Sequence, residues 1–236
     1  NNIDTLSCFF SIGLIPTGSR DPFALRRSGN SLINVLWHEN NKLSLNQLIN
    51  SLDEKLSKDT KLINEIKIFL IDKLYNFLIE EGFRSDKLSA IISQDNIGQK
   101  TFLEIKSELK ALDKILNTNI GIKFISNFKR IYNITKKSEI LPNSLKIKKG
   151  LFVFKEEKQL HNFLTKLSKS NKINTELNYN KKQLDHFNEF NFLIEKFFDN
   201  VLVNDENIKI KHNRIKLLES IKVNFEMTCK FQVIKT

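Results

Sequence analysis

Between Lys123 and Lys149 the chain sets eight basic side chains, Lys123, Lys129, Arg130, Lys136, Lys137, Lys146, Lys148 and Lys149, against Glu139 alone. Cations at this density suit contact with phosphate oxygens, an interaction whose affinity falls steeply with salt. Tyr132 and Asn133 stand inside the run. A tyrosine ring can stack on an unpaired base, and an asparagine amide can hydrogen-bond its edge. Helical spacing puts positions 129, 133 and 136 on nearly one face, with Arg130 and Lys137 beside it. Lys146, Lys148 and Lys149 extend that face from the following loop. Two bland readings compete: a solvated lysine face in a lysine-rich chain, and a helix that turns Ile131 and Asn133 into a bundle interior.

A second basic cluster, Arg20, Arg26 and Arg27, lies in PTGSRDPFALRR, Pro16 to Arg27. Asp21 suits an N-cap and Pro22 the first helical position, where a missing N–H costs nothing. A rigid turn needs Gly18, Asp21 and Pro22 in any case. The structural reading gives Arg20 or Arg27 a carboxylate partner, and the functional one gives Arg20, Arg26 and Arg27 phosphate contacts.

Catalytic chemistry has little support. His38, His161, His186 and His212 are far apart, and no HxxxH or CxxC pair exists, so no metal site is expected. His186 and Glu189 at i, i+3 are a bare fragment of a carboxylate-metal motif, and surface polar pairing explains them as well. No GxxxxGK phosphate loop is present, and Gly18-Ser19 is a weak substitute. No Ser, Cys or Lys has a base at informative spacing. KLSKS, Lys166 to Ser170, imitates the KMSKS loop of class I synthetases, but the Rossmann core and HIGH-type partner that such a loop needs are missing. No catalytic or cofactor-binding residue is therefore expected.

The elements that position these residues read as helices. Across 236 residues there are only 7 Gly and 3 Pro, too few for a many-turned β protein. Apolar residues recur at i, i+3, i+4 and i+7 almost throughout. The pattern predicts helices from Asp21 to about Glu39, with Leu25, Leu32, Val35 and Leu36 on one side, and from Ser44 through Leu45, Leu48, Ile49, Leu52 and Leu56. Thr60 opens a longer one with Ile63, Ile66, Leu70, Leu74, Phe77 and Leu78 facing inward, closed by Gly82. A short helix capped by Ser85 follows, then helices near 100–117, 121–136, 155–169, 180–203 and 208–230. The last carries Ile208, Ile215, Leu218, Ile221 and Phe225 at helical spacing. LFVF, Leu151 to Phe154, reads as a short strand with no partner. Phe187, Phe190, Phe197 and Phe198 read as core. The class is all-α, with a boundary expected near QDNIGQ, giving parts 1–95 and 96–236.

Net charge is +11, and residues 1–120 carry 15 basic and 15 acidic side chains, so the whole excess lies in residues 121–236. That asymmetry points to a polyanionic partner for the second part. No apolar run approaches the ~20 residues of a membrane helix. The chain opens on NNIDTLSCFF, with neither Met nor a signal-peptide pattern, and reads as part of a longer protein. Cys8 and Cys229, far apart, suggest a reducing compartment such as the cytoplasm.

Three blocks carry a resemblance. IDTLSCFFSIGLIPTGSRDPFALRR (Ile3 to Arg27), FKRIYNITKK (Phe128 to Lys137) and FFDNVLVNDENIKIKHNRIKLLESI (Phe197 to Ile221) are similar, in order and spacing, to the last third of the β subunit of bacterial heterotetrameric glycyl-tRNA synthetase. The middle block resembles a helix shared with DALR-type anticodon-binding domains. Ser28-Gly29-Asn30, Thr135 and the ending FEMTCKFQVIKT depart from the pattern. The resemblance implies a helical body at 1–95, the tail of an HD-like region, and a DALR-like anticodon-binding domain at 96–236. It implies a subunit of a glycine-tRNA ligase whose class II active site, using ATP with Mg, lies in the α subunit, with glycine tRNA and the α subunit of an α2β2 tetramer as partners. The residues then expected on tRNA are Lys129, Arg130, Tyr132, Asn133, Lys136, Lys137, Lys146, Lys148 and Lys149, with Arg26 and Arg27. The alternative is an assembly module that mainly docks the α subunit through the apolar helices of residues 44–81. A free-standing HD hydrolase is disfavoured by the missing His-Asp motif.

Overall fold

In the computed structural model the described residues are 2–16, 21, 23–39, 42–51, 59–93, 96–137, 146–171 and 177–235. They form helices α1 (Asn2–Ser11), α2 (Leu25–His38), α3 (Leu45–Asn50), α4 (Thr60–Glu80), α5 (Ser85–Ile92), α6 (Phe102–Leu116), α7 (Asn119–Lys136), α8 (Lys155–Asn171), α9 (Lys181–Asn200) and α10 (Ile208–Glu226). Among these residues the only β pairing is an isolated bridge between Ser44 and Thr101, so the all-α expectation holds. Gly18, Ser19, Arg20, Pro22, Leu52, Leu56 and Glu139 lie outside the described residues.

Two compact units emerge, Asn1–Leu109 and Lys110–Thr236. The division falls inside α6. The start of that helix is fixed within the first unit: Phe102 N–H donates to the Leu43 carbonyl at 3.3 Å, and buried Lys100 donates to both Glu108 carboxylate oxygens at 2.7 and 2.6 Å.

In the first unit α1 and α2 pack on α4, whose buried stripe is Leu62, Ile66, Leu70, Leu74 and Leu78. The stripe falls one residue from Ile63 and Phe77, which are only half-buried. α2 likewise buries Leu25, Ile33, Leu36 and Trp37, while Val35 is exposed. Gly29 belongs to this face: a Cβ there would come within 2.7 Å of the Phe69 ring. The helix also starts later than Asp21. Ala24 adopts a left-handed φ of 53°, and the Asp21 carboxylate still caps by accepting the Leu25 and Arg26 N–H groups at 2.8 and 3.1 Å. Ser44 and Gln47 form a reciprocal capping box on α3. α4 ends at Gly82, φ 89°, with Phe83 N–H returning to the Leu78 carbonyl. Ser85 does not cap α5. Arg84 precedes that helix and pairs instead with Asp86 at 2.7 Å.

The second unit is a phenylalanine-rich bundle. Phe124 of α7 stacks on Phe187 of α9 at 4.0 Å and meets Phe225 of α10 and Phe231 edge-on at 5.0 and 4.9 Å. Such pairs add to area burial because ring edge and face carry opposite partial charge. Ile208, which shares the helical spacing of Ile215 and Leu218, is exposed at the first turn of α10. Residues 151–154 are not a strand. A 3-10 turn covers Lys149–Leu151, and the N–H groups of Val153 and Phe154 donate to the Glu157 carboxylate, opening α8.

The turn from α6 to α7 admits only glycine at 121. A Cβ there would lie 2.1 Å from the Ile115 carbonyl oxygen, and Thr118 caps α7 by accepting the Gly121 N–H at 3.0 Å. Gly121→Ala is expected to lower the unfolding free energy by about 1–3 kcal/mol through overpacking, read as a reduced urea midpoint at unchanged slope.

Candidate nucleic-acid interface

α7 places its basic residues by burying the opposite face. Phe124, Ile125, Phe128, Ile131 and Thr135 point into the bundle, which leaves Arg130, Asn133 and Lys136 exposed, Lys137 exposed just beyond the helix, and Lys129 and Tyr132 half-buried. Asn133 therefore does not face the interior, although its neighbour Ile131 does. The Arg130 guanidinium stands over the Phe198 ring, 3.8 Å from its centroid, and Phe198, expected in the core, is only half-buried. Arg130, Ile134 and Phe198 wall a cleft of about 440 Å³ whose far side is the end of α9 and the 201–204 turn, including exposed Leu202. Tyr132 is flanked by two ammonium groups, Lys136 at 5.9 Å and Lys222 of α10 at 5.7 Å. Lys123 is paired with Glu195 at 2.9 Å.

Lys146, Lys148 and Lys149 are exposed, but the segment is anchored to α10. Asn213 accepts the Lys148 N–H at 2.8 Å and donates to the Lys148 carbonyl at 3.1 Å. Lys149 lines a separate cleft with Phe152, Phe154, Lys155, Lys158 and His161. Sequence reasoning missed this second site because its aromatic members sit in the run mistaken for a strand. Burial, followed by the nearby Lys149 charge, lowers the His161 pKa below its ordinary value.

Both clefts hang on Arg214. Its side chain is 1% exposed and that of Glu157 is fully buried. Nε donates to Glu157 Oε1 at 3.0 Å, and Nη1 donates to the Leu202 carbonyl at 2.8 Å and to Asp205 Oδ2 at 2.7 Å. The other Glu157 oxygen holds the Val153 and Phe154 N–H groups at 2.7 and 2.8 Å. The guanidinium carbon is 5.5 Å from the Phe154 ring centroid. The Asn207 N–H and then Arg214 hold the Asp205 carboxyl below its ordinary range. One buried cation thus holds the 202–205 turn of the first cleft directly and, through Glu157, the 153–154 wall of the second.

Arg26 and Arg27 belong to the first unit. The Arg26 N–H is engaged by Asp21. Arg27 lines a polar cleft with Asn30, Asn34, Asn76, Glu80 and Glu81, so two carboxylates share the cleft with it. Lys166 to Ser170 is regular helix within α8, and Lys166 pairs with Glu189 at 3.0 Å. That pairing accounts for Glu189 beside His186, and makes KLSKS a helix face and not a loop. Among the described residues no group of three or more His, Cys, Asp or Glu could hold a metal ion, and no helix is long and apolar enough to cross a membrane.

Residues 1–93 match the family model described as glycyl-tRNA synthetase beta subunit. Curated glycine--tRNA ligase beta subunits align with nearly the whole chain. The one from Thermodesulfovibrio yellowstonii is 31% identical over 94% of this chain and 31% of its own length. That of Halothermothrix orenii is 30% identical over 94% and 32%, and that of Trichodesmium erythraeum is 28% identical over 100% and 35%. The chain thus spans about a third of the length of the curated relatives it matches.

Removing Arg214 strands the Glu157 charge in the core. Arg214→Met is expected to cost about 3–5 kcal/mol of stability in urea unfolding. Adding Glu157→Gln should recover part of that loss, since the orphaned charge goes with it.

Proposed function

We propose, for a chain that belongs to the glycyl-tRNA synthetase beta-subunit family, that its second unit is the tRNA-binding, DALR-like anticodon-binding part of the subunit. The whole enzyme joins glycine to its tRNA in the cytoplasm. Its ATP and Mg chemistry takes place in the α subunit of an α2β2 assembly, and this chain supplies RNA contacts and no catalytic group. The observation that carries the reading is the exposed basic face at the end of α7: Arg130, Lys136 and Lys137, with Tyr132 and Asn133 beside them. The charge balance supports it, since the entire net +11 lies beyond residue 120. Ammonium and guanidinium groups along one face give phosphate contacts, and the ring and amide are the groups that unstacked bases require.

Assembly with the α subunit is a second role, and one observation favours placing it in the first unit. Ile12, Leu14, Ile15 and Phe23 are exposed together, with Phe23 stacked on Phe9 at 4.5 Å. An apolar cluster of this kind suits a protein partner and not RNA. On α4 the stripe Leu62, Ile66, Leu70, Leu74 and Leu78 is buried within the unit, while Ile68 and Ile79 are its exposed apolar residues.

The test is fluorescence anisotropy of labelled glycine tRNA with the 236-residue chain across a salt series. Lys136→Gln with Lys137→Gln should weaken binding at every salt concentration and flatten the slope of log K against log salt by about 0.7–0.9 per lost phosphate contact. Affinity that ignores salt would remove the phosphate contacts from the account.

A further inference from the structure

We propose that the cleft walled by Phe152, Phe154 and His161 and rimmed by Lys149, Lys155 and Lys158 is a second RNA subsite, which takes one splayed-out nucleotide of a single strand. The proposal rests on the reading of the second unit as an RNA-binding module, and adds a place and a mode of contact that the α7 face does not supply.

The cleft has a volume of about 480 Å³, and no acidic side chain lines it. The two carboxylates closest in sequence, Glu156 and Glu157, are buried, and Glu157 is committed to Arg214 and to the Val153 and Phe154 N–H groups. The charge presented to solvent is therefore that of the three lysines. Exposed aromatic surface accompanies it. Phe154 is 41% exposed and Val153 60%, unusual for apolar residues next to a bundle that buries most of its phenylalanines. Phe154 is not loose: its N–H is held by Glu157, and its ring rests by the Arg214 guanidinium. Phe152 and His161 lie ring to ring, with centroids 5.6 Å apart and planes tilted by 57°. The lowered His161 pKa favours a neutral imidazole near pH 7, a flat ring with no charge to repel the surrounding lysines. Aromatic faces set among cations are the elements of sequence-tolerant single-strand binding, where rings stack on bases and cations follow the backbone. An acidic peptide would satisfy the lysines and leave the rings without a use.

The experiment measures binding of the 236-residue chain to two labelled probes: intact glycine tRNA, and a heptaribonucleotide with its anticodon-loop sequence. Phe154→Leu keeps the bulk against Arg214 and removes the π face. It should weaken heptamer binding by about 5- to 150-fold at an unchanged salt slope. Lys158→Gln, an exposed position with little bearing on folding, should weaken it and lower the slope by about 0.7. Heptamer binding that is absent, or equal in wild type and both variants, overturns the subsite. tRNA binding that responds only to Lys136→Gln with Lys137→Gln does the same, while leaving the α7 reading intact. Heptamer binding that depends on Phe154 and Lys158 in a chain indifferent to tRNA supports the cleft and defeats the wider reading. Displacement of the heptamer by hexaglutamate, with Phe154→Leu lacking effect, makes the cleft a peptide site and overturns the proposal.

Discussion

Arg214 is the cation on which the second unit is organised. A guanidinium out of water costs several kcal/mol unless carboxylates and carbonyls replace its hydration. Here they come from two places in the chain: Glu157 in the first turn of α8, and the turn after α9, which supplies the Asp205 carboxylate and the Leu202 carbonyl. The charge therefore does what apolar packing does poorly, which is to fix the conformation of irregular backbone. Asn213, one residue earlier, clamps both backbone polar groups of Lys148 in the same way. The phenylalanines supply most of the burial, and the polar pair at 213–214 determines where two loops stand.

The arrangement explains how a bundle offers contact surfaces at all. Helix α7 buries one face and presents the other, but a helix face alone is shallow. Depth comes from the loops that Arg214 holds against it and against α8, so that Arg130 with Phe198, and Phe152 with Phe154 and His161, each wall a cleft. Motif residues in HNRIKLL thus act on the surface from within, by positioning other groups.

Much of the fold was legible in the sequence because helical periodicity reports which side of a segment is apolar. Helices α2 and α4 to α10 begin and end within about four residues of the pattern's limits, and the long helices are the clearest. The errors share a cause. On α4 and α2 the apolar residues spread over more than one face, so periodicity alone did not choose between Ile63 and Leu62, or between Val35 and Ile33. Tertiary packing made that choice, with Gly29 admitting Phe69. LFVF has the composition of a strand but stands between a 3-10 turn and a helix that Glu157 caps. Asn133 could be placed on either side of α7 from sequence. The second cleft, drawn from residues 149–162 alone, was not legible because Phe152 and Phe154 belong to the run with strand composition, and only the Glu157 cap makes that run the entry to α8.

The central claim is that RNA meets the second unit at the end of α7 and at the loop before α8. The most direct measurement is amide hydrogen exchange of the 236-residue chain, with and without glycine tRNA, read peptide by peptide. The account predicts slowed exchange in peptides covering residues 129–137 and 146–162, with the Phe-rich interior unchanged because it is already protected. Slowed exchange confined to the first unit, or none under conditions where the tRNA is bound, would contradict it.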